Sequence, residues 1–227
     1  MPILWALACI LLGYGLVAGL LFAPADYQQG DAYRIIYIHV PCAALSLAVF
    51  VMMAVAAAIY LIWRIKLADV VAKVSAPLGA WFTFLALLTG SLWGKPMWGT
   101  WWIWDARLTS ELILLFLYLA VITLRSAIPN TDSSSRVASI FILVGVVDIP
   151  IIHYSVNWWN TLHQKSTILQ FAKPTLAPSM LYPLIATLLG FFCYYFAVLC
   201  MRVSKELLQR EAHATWVHQL LAEKKRS

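Results

Sequence analysis

The sequence predicts an all-α, polytopic membrane protein with six transmembrane helices and both termini in the cytoplasm. Three observations predict it: an apolar composition, apolar runs of bilayer length, and basic residues collected on alternate connecting segments. Of the 227 residues, 63% are hydrophobic and 11% charged, whereas a soluble domain is about half apolar and about a quarter charged. A hydrocarbon core of roughly 30 Å takes about 20 helical residues at about 1.5 Å each, and the runs here have that length.

Span one covers about 3–22. It has no basic start and no mature soluble domain after it, so it reads as a span rather than a signal peptide. Span two covers about 41–63, with Pro41 in its first turn, where a missing N–H leaves nothing unpaired. Span three, about 76–93, uses Pro77 in the same way. Span four covers about 108–124 and span five about 137–154, joined by the polar turn Asn130 to Ser135. Span six, about 181–201, completes a membrane domain over 1–201. Residues 202–227 then form a basic cytoplasmic tail, in which Val203, Leu207, Val217 and Leu221 recur at helical spacing. That pattern predicts a short amphipathic helix, with His213 and His218 as solvated surface residues.

Orientation follows from Lys and Arg. Arg64, Lys66, Lys73, Arg125, Arg136, Arg202, Lys205, Arg210, Lys224, Lys225 and Arg226 make eleven on one set of segments, and Arg34, Lys95, Arg107, Lys165 and Lys173 make five on the other. Eleven against five places both termini inside. The net charge of +6 then reflects topology, and the tail suits anionic lipid headgroups or a cytoplasmic partner rather than nucleic acid. Cys9, Cys42, Cys193 and Cys200 lie in or beside apolar runs without a C-x-x-C pair, as small buried hydrophobes do.

The outward segments carry the chemistry. Between Trp93 and Asp105 stand five tryptophans, Trp93, Trp98, Trp101, Trp102 and Trp104, with turn glycines at Gly94 and Gly99. Seven of the eleven tryptophans fall on the outer side, Trp158 and Trp159 being the others. An ordinary aromatic belt decorates both interfaces, so a one-sided array points to a platform for a large planar apolar ligand. Stacked bases gain ~1–3 kcal/mol per ring, but no basic track accompanies these rings and nucleic acid does not fit. A porphyrin does. His39 and His163 lie in outward segments on either side of the tryptophan loop and are suitable axial ligands for its iron. Arg34, Lys95, Arg107 and Lys165 are available to its propionates, and an arginine can bind one through two parallel bonds. Asp105 accepts instead from an indole N–H, from Arg107 or from a backbone donor. Helix capping by His39 and a plain surface role for His163 are the competing assignments. His153, at the end of span five, is a weaker ligand candidate. Asp148 and Glu111 are expected to be structural, Asp148 snorkelling or meeting a cation such as Arg107, and Glu111 favoured by the start of its helix.

The stretch W-G-T-W-W-I-W-D at 98–105 resembles the tryptophan-rich WWD signature of the haem-handling proteins of cytochrome c maturation. Gly94-Lys95-Pro96-Met97 before it and Ala106 to Leu112 after it resemble the CcmC family within that group, as do Phe22 to Gly30 and Trp158 to Gln164. The similarity runs from about residue 22 to 168 and is looser at both ends. It implies six spans and an exposed haem b, held non-covalently as cargo on the periplasmic side of the bacterial inner membrane by two external histidines, which fall on His39 and His163. Trp98, Gly99, Trp101, Trp102, Trp104, Asp105 and Arg107 would form the rest of the haem site. It also implies partners: the haem chaperone CcmE, a small subunit CcmD, and an ABC transporter of CcmA and CcmB. No nucleotide motif occurs here, which suits a presenter whose ATPase is another chain. One departure is the short amino terminus, from which any family extension is expected to be missing.

Two other classes compete. A respiratory membrane anchor binding b-type haem or quinone would place axial histidines inside its helices, and none lies mid-span. A permease would need polar residues or broken helices near the bilayer centre, which only Asp148 and Pro150 approach. No nucleophile–base constellation points to an enzyme.

Overall fold

A computed structural model describes residues 1–163 and 176–217. Lys165, Lys173 and the end of the basic tail, with His218 and Leu221, lie outside the described residues. Helix α1 (Pro2–Val17) closes in a π-helical turn, Ala18–Phe22, and a 3₁₀ turn, Asp31–Ile35, leads into α2 (Ile36–Trp63). There follow α3 (Lys66–Trp98), α4 (Ala106–Ala127), α5 (Thr131–Gly145), α6 (Asp148–Trp158) and α7 (Pro178–Arg210). Among the described residues these make six segments long and apolar enough to cross a membrane, α5 and α6 together forming the fifth. No strand occurs among them; only an isolated bridge joins Asp26 to Gly30.

The helices outrun the apolar runs that announced them. Apolar length marks only the part immersed in hydrocarbon, whereas a helix continues until its backbone bonding is broken or capped. Pro41 and Pro77 therefore sit inside α2 and α3 rather than in their first turns. The expected tryptophan loop at 93–107 shrinks to 99–105, because Trp93 to Trp98 belong to α3 and Ala106 and Arg107 open α4. The tail boundary at 202 also shifts, since α7 continues unbroken to Arg210. Span five is broken at Val146 and Val147. Pro150 has no N–H to give the Val146 carbonyl, which accepts from the Ile149 N–H at 3.1 Å instead.

Helix α2 is central, packed against α3, α5 and α7, while α1 lies outside against α7. The α1–α7 crossing is close because Gly15 meets Thr187 and Gly190 meets Leu12, where a Cβ would come within 3 Å, the small-residue packing common between membrane helices.

The end opposite the tryptophans is clamped electrostatically. Asp69, 1% exposed at the start of α3, takes Arg125 Nη1 of α4 at 2.5 Å and Arg210 Nη1 of α7 at 2.8 Å. Glu206 adds Lys73 Nζ at 2.6 Å and Arg210 Nε at 2.8 Å. Three helices are thus tied through one buried carboxylate, and the first residues of the expected tail are part of the tie. His213 is exposed beyond it. Removing one partner of a buried pair strands the others, so Asp69→Asn is expected to destabilise the fold by about 3–5 kcal/mol, read as the shift in denaturant-induced unfolding of the detergent-solubilised chain.

Candidate functional site

The site is assembled where α2, α3 and α4 reach the tryptophan-rich end. Helix α3 stops at Gly99, whose φ of 75° is left-handed and whose N–H returns to Lys95 O at 3.1 Å. This is the terminating geometry that glycine permits without strain. Lys95 Nζ donates to Gly99 O at 3.0 Å and lies over the Trp101 ring, 5.8 Å from its centroid. The chain then crosses to Asp105, the N-cap of α4, whose Oδ1 accepts from Leu108 N–H at 2.8 Å. Of the donors the sequence allowed Asp105, the backbone one is used.

Its second oxygen does something the sequence did not disclose. Asp105 Oδ2 accepts a hydrogen bond from the Thr161 hydroxyl. The same Thr161 Oγ1 accepts from the His163 N–H at 3.1 Å. One carboxylate therefore caps α4 and also holds the segment carrying His163.

The result is an open cleft, with about 770 Å³ of empty space counted out past its mouth. His39 and Ala43 of α2 line it, with Ala86, Gly90, Trp93, Met97 and Trp98 of α3. Arg107, Leu108 and Glu111 of α4 face them, and Gln29, Trp102 and His163 complete the walls. The two imidazoles meet across this space with ring centroids 6.4 Å apart, tilted by 40°. Trp93 packs edge-on to His39 at 5.6 Å and is itself held by donating from Nε1 to Gln29 Oε1 at 2.9 Å.

Of the residues nominated from sequence, His39, His163, Trp98, Trp102 and Arg107 line the cleft; Gly99, Trp101, Trp104 and Asp105 do not. Trp101 and Trp104 are 55% and 75% exposed, Trp104 standing edge-on to Trp102 at 5.4 Å. The expected four-ring platform gives way to a slot walled by Trp93 and Trp98 of α3 and by Trp102 of the turn after Gly99, with Trp101 and Trp104 of that turn outside it. Arg107 Nη1 donates to Ile152 O at 2.6 Å, so it reaches α6 through a carbonyl and not through Asp148. Arg34 donates to Leu20 O at 2.8 Å and pairs with Asp31 at 3.2 Å, outside the cleft. Glu111 is in the cleft floor and accepts from Ser46 Oγ at 2.6 Å. Sequence reasoning also missed Gln29, Met97 and the cleft-lining role of Trp93. Continuing the helical spacing of Ala86 and Gly90 to Trp93 and Met97 would have found the last two.

A family model described as CcmC, heme exporter protein C, matches residues 1–218. The chain belongs to the CcmC family. It is 50% identical to the heme exporter protein C of Haemophilus influenzae over 96% of this chain and 89% of that one. It is equally 50% identical to that of Escherichia coli K12, over 99% of this chain and 91% of that one. A Marchantia polymorpha protein, named as a ccmC-like mitochondrial protein of cytochrome c biosynthesis, is 49% identical over 75% of this chain and 72% of its own length.

The Asp105–Thr161–His163 connection separates two roles that one substitution would mix. Asp105→Ala loses both the cap and the link, and the lost cap alone is worth ~1 kcal/mol. Thr161→Val leaves the cap and removes only the link to the His163 segment. Diethyl pyrocarbonate modification followed by peptide mass spectrometry is expected to report faster labelling of His163 in both variants, with lowered thermal stability chiefly in Asp105→Ala.

Proposed function

We propose that this CcmC-family chain binds haem b non-covalently as cargo, on the periplasmic face of the bacterial inner membrane, and presents it to a CcmE-type haem chaperone for c-type cytochrome biogenesis. In this reading it works with the small subunit CcmD and the ABC transporter formed by CcmA and CcmB. The relatives' names support haem export and cytochrome c biosynthesis as the setting. The excess of Lys and Arg on the opposite end supports the orientation.

One observation carries the proposal: two imidazoles 6.4 Å apart, centroid to centroid, facing one cleft. An imidazole nitrogen binds a first-row transition metal at about 2 Å. Two such rings on opposite faces of one iron therefore have centroids about 6 Å apart, once the distance from each nitrogen to its ring centre is added. Porphyrin supplies the in-plane nitrogens, so two histidines are all the protein must add.

The remaining walls suit the rest of the molecule. Trp93, Trp98 and Trp102 provide apolar faces and edges for the macrocycle. Arg107 and the Trp102 indole N–H, which is buried without a partner among the described residues, are donors for propionate oxygens. Trp101 and Trp104 stand at the exterior, where an incoming acceptor would meet them; Gly99 and Asp105 act through the geometry of the loop. An open mouth matters as much as the ligands, because a presenter must let go of its cargo. The chain's own residues hold and orient; no bond is made or broken by them.

His39→Ala and His163→Ala in the membrane-embedded complex are each expected to lower haem retention and chaperone loading by at least the ~10–100-fold that loss of a ligand's outer partner costs. Normal retention and loading in both single variants would sink the assignment.

A further inference from the structure

His39 of α2 is held at its ring by α3. Its Nδ1 lies 3.0 Å from Thr89 Oγ1. That hydroxyl also lies 2.6 Å from Leu85 O, one helical turn earlier, and 3.3 Å from Ala86 O. A threonine hydroxyl has one proton and two acceptor sites. The carbonyl of residue i−4 is a familiar destination for that proton in a helix. With the proton on Leu85 O, at the shorter distance, Thr89 Oγ1 can only accept from the ring. Nδ1 then carries the hydrogen, and Nε2 is left with its lone pair.

The rest of the socket fixes the ring's position. Gly90 follows Thr89, and a Cβ there would lie 3.1 Å from His39 Cε1, so the imidazole rests against bare helix backbone. Trp93, one turn further on, closes against the ring edge-on at 77°. Three residues of α3 thus hold one side chain of α2, fifty positions earlier than Thr89 in the sequence.

We infer that Thr89 is the positioning residue for His39, selecting its Nδ1–H tautomer so that Nε2 is presented to the haem iron through the relay Leu85 O, Thr89 hydroxyl, His39 ring. The inference rests on the proposal that His39 is an axial ligand, and it adds which nitrogen binds and what makes it ready. An acceptor on the distal N–H also makes an imidazole a stronger donor to its metal. Thr89 therefore favours the ferric state in addition to orienting the ring.

The test compares Thr89→Val, which keeps the shape and removes the hydroxyl, with Thr89→Ser, which keeps the hydroxyl, and with His39→Ala, all as the full chain in its membrane complex. Haem retention and the midpoint potential of the bound haem are read together. Thr89→Val is expected to retain haem ~10–100-fold more weakly and to shift the midpoint upward, while Thr89→Ser stays near the parent in both. Thr89→Ala, a better helix former, should reproduce the loss and serves where valine disturbs the fold. Valine and alanine variants matching the parent in retention and potential would overturn the inference, as would a serine variant that behaves like valine. Haem binding indifferent to His39→Ala would instead overturn the ligand assignment on which it stands.

Discussion

Asp105 divides its two carboxylate oxygens between the start of α4 and a residue fifty-six positions later in the chain. One accepts from the Leu108 N–H in the first turn of α4, and the other accepts from the hydroxyl of Thr161, which in turn accepts from the N–H of His163. A helix start offers unpaired donors that some acceptor has to meet. Using a carboxylate there leaves a second oxygen for another task, and the task here is to hold the His163 segment opposite α2. The cleft depends on this bridge, since His39 stands on a rigid helix whereas His163 follows a helix end. The closing aspartate of the tryptophan-rich motif is therefore a brace between two walls, lying outside the lining itself.

The tryptophans divide in a similar way. Those presented by α3 and by the turn after Gly99, Trp93, Trp98 and Trp102, wall a slot. Trp101 and Trp104 face outward. A slot with aromatic walls and an open mouth suits the proposed presenter role, in which a planar molecule is held by its faces with one edge accessible. Beneath it Glu111 accepts from Ser46 Oγ, and Tyr118 donates to Ser46 O at 2.7 Å. At the far end Asp69 and Glu206 tie α3, α4 and α7 together. The helices that present the site are thus held at the end where no ligand need enter.

Much of this was legible in the sequence, and what was missed follows a pattern. Six spans could be drawn because about twenty apolar residues in a row have few other uses. His39, His163, Trp98, Trp102 and Arg107 could be nominated because polar and aromatic residues crowd three outer segments. Helix ends were misplaced because apolarity reports the bilayer and not the backbone, so Trp93 to Trp98 read as loop. That error hid the face of α3 on which Ala86, Gly90, Trp93 and Met97 line up. The break before Asp148 was hinted at by Pro150 alone. The threonines were out of reach for another reason. Thr89 acts on a residue fifty positions away and Thr161 on an aspartate fifty-six positions away, and nothing in local periodicity distinguishes either from an ordinary helix or loop threonine.

In the proposed haem complex both imidazoles bind one iron across the cleft. Electron paramagnetic resonance of the ferric, haem-loaded complex tests it most directly. Two imidazole ligands favour a low-spin iron, so a low-spin rhombic signal is expected in the parent and its conversion to high-spin in either His39→Ala or His163→Ala. A high-spin parent, or a low-spin signal that survives both single substitutions, would contradict it.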